Sequence, residues 1–183
     1  LMRFMLAVLA AIPSIVFGLA GNVVFCEWLG LGYSILAGGL TLACMITPLI
    51  AFTTELTLRG IPRTLRASAF SLGFAKHKVL LRVVLPVAVP GIVSGVALAI
   101  GRAIAESAAL IFTSGYSDRT PYSVLDSGRT LAVHILDLSM NVPGGDVRAQ
   151  ATAAVLMAWM IAVLMGLSAF RILLCRQMGQ VRQ

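Results

Sequence analysis

Four long stretches of the chain carry no Asp, Glu, Lys or Arg: residues 4–26, 28–54, 83–101 and 149–170. Together they make up half of the 183 residues. Each reaches the roughly 18 residues at which an apolar run reads as a membrane span. The pattern predicts an all-α, polytopic membrane protein with spans at about 4–26, 31–54, 86–112 and 149–171. Pro13, Gly18 and Gly21 interrupt the first run. Such breakers survive in a membrane helix only where neighbours cover the freed backbone groups, so a bent or broken helix inside a bundle is expected there. The second run holds Gly38–Gly39 and Pro48. Small residues let helix backbones approach closely, which is how helices associate in lipid. The fourth run is uninterrupted and rich in Ala, Met and Leu.

Two longer polar segments separate the spans. In residues 55–82, Pro62 is placed to open a helix. Leu58, Ile61, Leu65, Ala69 and Leu72 recur at three- and four-residue spacing and are expected to share one apolar face. Gly73, flanked by Phe70 and Phe74, marks the point where that helix ends or turns sharply. Residues 113–148 are punctuated by Gly and Pro and nearly neutral, with Leu131, Ile135 and Leu138 spaced for one face of a short helix.

Composition sharpens the class. The chain is 59% hydrophobic and 11% charged, against about 25% charged for a soluble domain. An ordinary cytosolic enzyme, a disulfide-stapled secreted domain and a disordered tail are excluded. The net charge of +7 is informative through its distribution. Arg59, Arg63, Arg66, Lys76, Lys78 and Arg82 share the 55–82 segment with a single acid, Glu55. Arg3 precedes the first span, and Arg171, Arg176 and Arg182 follow the last. Across the other side, Arg119, Arg129 and Arg148 are balanced by Asp118, Asp126, Asp137 and Asp146, and Glu27 sits in the first turn. Lys and Arg mark the cytoplasmic side of membrane helices. Four spans with both visible ends in the cytoplasm satisfy every segment, which makes the basic excess a topology signal and not a nucleic-acid surface. Cys26, Cys44 and Cys175 form no C-x-x-C pair and read as small hydrophobes. Arg3 with the run that follows is similar to a signal peptide, but the length of the run and Pro13 at its middle favour a span. Leu1 is not an initiator, so the chain reads as an N-terminally incomplete copy.

The third span contains Arg102 and Glu106, with Ser107 beside them. A spacing of four puts the two charges on one helical face. Each costs about 2.5–3.5 kcal/mol at the bilayer centre, so such a pair either lines a path for a hydrophilic substrate or serves mutual neutralisation. Arginine presents a planar, permanently charged donor array, and an ionised glutamate only accepts. Enzyme signatures are missing. There is no G-x-x-x-x-G-K-[ST], no H-E-x-x-H and no metal-ligand cluster, and His77 and His134 are isolated. The expected reading is a non-enzyme.

Residues 63–91 read RTLRASAFSLGFAKHKVLLRVVLPVAVPG. This stretch resembles the cytoplasmic loop signature of ABC importer permeases: E-A-A, three residues, G, nine residues, then I-x-L-P. Ala67, Ser68 and Ala69 stand at the E-A-A positions, Gly73 at the glycine, Val83 at the isoleucine, and Leu85 and Pro86 at the end. The departure is Ala67, where the pattern has Glu. AIPSIVFGLAG (11–21) and GRAIAESAALIFTSG (101–115) are similar to the phosphate-specific permeases of that family. The resemblance implies a type I importer bundle, four spans visible of a usual six, in a bacterial inner membrane. Residues 55–82 would be the cytoplasmic coupling loop, with Ala67, Ser68, Ala69, Gly73, Leu85 and Pro86 meeting an ATPase subunit. Residues 113–148 would face a periplasmic phosphate-binding protein. A second homologous permease would complete the path lined by Arg102, Glu106 and Ser107. ATP and Mg would be bound by the partner ATPase, with no cofactor in this chain. The hydroxyl that hydrogen phosphate keeps at neutral pH, and sulfate lacks, would suit Glu106. The alternatives are a permease for another oxyanion such as sulfate or molybdate, an intramembrane enzyme, or a four-span membrane protein without a transport role.

Overall fold

The computed structural model describes residues 2–180, with side chains over 4–173. Arg3, Cys175, Arg176 and Arg182 therefore lie outside the described side chains, and Leu1 outside the described backbone. The regular elements among the described residues are all helices, with no strand.

Helix α1 (Met2–Ala11) meets α2 (Ser14–Gly21) across Pro13. Proline has no N–H and a fixed φ, here −57°, so α1 cannot run on through it. The two arms of this first apolar segment meet at 87°. Past Gly21 the backbone widens into a π-type turn, Asn22–Trp28. Helix α3 (Ile35–Gly60) opens on Ser34, whose Oγ accepts from the Ala37 amide at 3.1 Å. Ile61 and Pro62 are extended and form a corner. Helix α4 (Arg63–Ser71) follows, and Gly73, at φ +77°, turns the chain back. Helix α5 (Lys76–Val79) passes through a π-type turn (Leu80–Val84) into α6 (Leu85–Ile104) without interruption. Helices α7 (Ala108–Ile111), α8 (Leu131–Met140) and α9 (Asp146–Gln180) complete the order. By length and composition Ile35–Gly60, Lys76–Ile104 and Asp146–Leu173 can each cross a membrane, and the bent α1–α2 segment is a fourth candidate.

Several expected boundaries move. The second span is helical from Ile35, and it continues to Gly60, into the segment read as loop. The third helix already begins at Lys76 and stops at Ile104, so 86–112 is not one helix. The sequence does not mark this stop, because no Pro or Gly stands at residues 103–107 and Ala and Ile continue on both sides of it. Leu58, Ile61, Leu65 and Ala69 converge on one apolar cluster although the Ile61–Pro62 corner divides their helices, whereas Leu72 is 76% exposed. In α8 the buried positions are Ala132, Val133 and Leu138, while Leu131 is exposed and Ile135 half-buried.

Packing follows the small residues. Gly91 and Gly95 of α6 lie against Thr57 and Thr53 of α3. A Cβ added at Gly91 would fall 2.3 Å from Thr57 Cγ2, and one at Gly95 2.4 Å from Thr53 Oγ1. Each threonine hydroxyl is occupied by its own helix: Thr53 donates to the Leu49 and Ile50 carbonyls, and Thr57 to Thr53. The seam therefore presents the Thr57 methyl to Gly91 and the Thr53 hydroxyl to Gly95, with both hydroxyl protons already donated within α3. Below it, Ile61, Ala69, Val79, Val84 and Ala88 form a buried apolar cluster that seats α4 on the base of α3 and α6. Helix α9 contacts α6, with Leu164 over Gly101 and Arg171 donating to Ser94 Oγ at 2.9 Å. Its remaining faces expose Val155, Trp159, Ile161, Met165 and Phe170, as a helix surrounded by lipid or other subunits would.

Candidate functional site

Arg102 lies in the last turn of α6 and is exposed. The helix then stops. The Ala105 and Glu106 amides still reach back to Gly101 and Ala103, each at 3.3 Å, but no further turn forms. Glu106 is buried, 9% exposed, and its Oε1 accepts from the Ala109 amide at 3.2 Å, so the carboxylate closes the start of α7. Arg102 and Glu106 consequently do not share a helical face, and they form no ion pair. The expectation of one face fails because four-residue spacing has that meaning only inside a continuous helix.

The broken segment is held from three sides. Ala109 packs against Gly18 of α2, where an added Cβ would fall 2.7 Å from its Cα. Leu110 and Ser114 pack against Gly38 of α3. The carbonyls freed beyond α7 find donors: Asn22 Nδ2 reaches Phe112 O at 2.6 Å, and the Ser34 amide reaches Thr113 O at 3.0 Å. Ser114 Oγ donates to Gly128 O at 2.5 Å, and Ser127 Oγ to Ser114 O at 2.8 Å. Irregular backbone at membrane depth persists only where protein covers it or a water-filled cavity adjoins it. Protein covers the segment here, and a cavity adjoins it. Ser107 lines a cavity of about 550 Å³ with Ile15, Tyr116, Asp137 and Asn141. Arg102 and Glu106 are outside that lining.

Above the break, Arg129 ties the loop to α8. It is nearly buried, pairs with Asp118, and donates to Asp137 Oδ2 at 2.6 Å. Asn141 Nδ2 holds the other Asp137 oxygen at 2.8 Å. These charges read as a balanced loop in the sequence. Their convergence has no signal in spacing, since it depends on where the loop folds back. His134 is half-buried beside a second cavity, of about 640 Å³, and has no nucleophile partner. His77 is exposed. No group of residues capable of holding a metal occurs among the described residues.

At the opposite end, α4 exposes Arg63, Thr64, Ala67, Ser68 and Ser71 and turns Ala69 into the apolar cluster. Of the signature positions, Ala67 and Ser68 are thus on the outer face, Ala69 is buried, and Gly73 makes the turn. Leu85 and Pro86 open α6, next to buried Val84. The residue that sequence reasoning missed is Arg66, counted there only as a loop charge. Its Nη2 donates to the Leu58 carbonyl of α3 at 2.6 Å.

Comparison with known proteins gives a consistent result. The family model described as binding-protein-dependent transport system inner membrane component matches residues 1–174. A phosphate transport system permease protein PstA of Mycobacterium leprae is 34% identical over 98% of this chain and 60% of its own length. A probable ABC transporter permease protein, YqgI, of Bacillus subtilis is 32% identical over 84% of the chain and 58% of its own. Phosphate transport system permease protein PstA 2 of Mycobacterium tuberculosis is 39% identical over 62% of the chain and 38% of its own. The chain thus spans about three fifths, or less, of the length of these relatives. No solved structure matches it. An all-helical bundle with helices long and apolar enough to cross a membrane, and a family match along nearly the whole chain, lead to one assignment. The chain belongs to the binding-protein-dependent transport system inner membrane components, the transmembrane permeases of type I ABC importers.

Proposed function

We propose that this chain serves as a membrane subunit of an ATP-driven phosphate importer. It works with a second permease, ATPase subunits that bind ATP and Mg, and a periplasmic phosphate-binding protein. The observation that carries the phosphate reading is the 34% identity, over 98% of the chain, to a protein named as a phosphate transport permease. The chemistry of the broken helix supports it. Arg102 offers fixed donors to phosphate oxygens. Glu106, turned inward at the break, offers an acceptor that suits the hydroxyl of hydrogen phosphate and not the fully deprotonated sulfate. Ser107 adds a hydroxyl at the cavity wall. The basic end, with Arg59, Arg63, Arg66 and Lys76, lies in the cytoplasm, where Lys and Arg accumulate. The α4 face of Ala67 and Ser68 meets the ATPase there, and residues 113–148 face the periplasm.

The test uses the complete transporter carrying this chain, reconstituted with its partners. Arg102→Ala is expected to lower ATP-driven uptake of radiolabelled phosphate at least tenfold while the complex still assembles. Uptake at the wild-type rate in that variant would remove Arg102 from the path.

A further inference from the structure

We propose that Arg66 is a positioning residue that makes α4 and the α3 span move as one body. The inference rests on the reading of α4 as the helix that meets the ATPase.

The joint between the two helices is weak by construction. Ile61 (φ −71°, ψ 126°) and Pro62 (φ −55°, ψ 137°) are extended, and the proline supplies no amide to bridge the corner. The last carbonyls of α3 have no partner within their helix. Two kinds of interaction are seen across the corner among the described residues. One is the apolar cluster of Ile61, Ala69, Val79, Val84 and Ala88. Apolar burial is non-directional, so the cluster keeps α4 attached without fixing its angle. The other is Arg66 Nη2 to Leu58 O, a 2.6 Å charge-assisted bond from the inner face of α4 into the final turn of α3. Such a bond is short, directional and about twice as strong as a neutral one. It is partly screened from water, and a cation at a helix C-terminus also meets the negative end of the helix dipole. Above the corner, the Gly91 and Gly95 seam fixes α3 to α6 through backbone-close contact. A push on the outer face of α4 therefore passes through Arg66 into α3, and through the seam into α6. Along α6 this body ends at the break at residues 105–107, where Arg102 and Glu106 are divided.

The test removes the donors and keeps the stem. Spin labels at Thr64 (α4) and Thr47 (α3), both exposed, are placed in a cysteine-free chain within the reconstituted transporter. Their distance distribution is expected to be narrow in the wild type, at least twofold broader in Arg66→Met, and close to wild type in Arg66→Lys, which retains a donor. An unchanged width in Arg66→Met would overturn the proposal. The ATP hydrolysed per phosphate carried is expected to rise several-fold in Arg66→Met, with the KM for ATP unchanged and the ratio restored in Arg66→Lys. A broadened distance with an unchanged ratio would leave Arg66 structural and overturn the positioning role. Should the wild-type transporter carry no phosphate, the functional reading fails, and the label distances still decide whether Arg66 locks the corner.

Discussion

Single side chains decide how closely the helices of this bundle approach. Gly95 and Gly39 are both helix glycines with opposite surroundings. A Cβ at Gly95 would collide with Thr53, whereas one at Gly39 meets nothing within 4 Å. Gly95→Leu is therefore expected to destabilise the fold by about 1–3 kcal/mol, the usual cost of overpacking. Gly39→Ala is expected to be neutral or to stabilise by up to about 1 kcal/mol through helix propensity. Denaturant titration of the purified protein in detergent micelles, followed by helical circular dichroism, separates the two. Destabilisation by Gly39→Ala equal to that by Gly95→Leu would contradict the seam. The Thr-x-x-x-Thr and Gly-x-x-x-Gly spacings were visible in the sequence, but which stripe faces which is a property of the packed pair. Arg66 was equally visible and equally uninformative, because its partner is a backbone carbonyl beyond a proline corner.

Elements fared unevenly. The apolar runs disclosed every long helix, since a charge-free stretch of that length has few other uses. Their ends were harder, because polar residues beyond the bilayer remain helical wherever the helix outlasts the hydrocarbon, as α3 does up to Gly60. The break after Ile104 was hidden because no Pro or Gly stands at residues 103–107; Glu106, beyond the break, accepts from the Ala109 amide at the start of α7. The cap and charge roles of Glu106 predict different outcomes. Glu106→Gln keeps an acceptor for that amide, and Glu106→Ala removes it at a cost of about 1 kcal/mol. If the negative charge serves transport, both variants lose phosphate uptake while Glu106→Gln keeps wild-type stability. Uptake retained by Glu106→Gln and lost only by Glu106→Ala would confine Glu106 to holding α7. Uptake and thermal unfolding of the two variants, measured side by side, give the answer.

At the scale of the whole molecule, charge and fold agree on an axis. The cationic end carries α4, the neutral end carries the Arg129 clasp, and the helix break lies between them. The opening charge pattern already implied the axis, because a bilayer sorts Lys and Arg to one side. It could not disclose which side chains of α9 the bundle leaves exposed, since exposure is known only once the helix is placed. Sidedness has a direct check. A cysteine at Ser68 is expected to react with a membrane-impermeant maleimide only from the cytoplasmic face, and one at Tyr122, 96% exposed, only from the periplasmic face. Reversed labelling would invert the account. The most direct test of the central claim is substrate competition in the reconstituted transporter. ATP-driven uptake of radiolabelled phosphate is predicted to persist in a hundredfold excess of unlabelled sulfate and to be abolished by the same excess of unlabelled phosphate. Suppression by sulfate, or uptake independent of ATP, would contradict it.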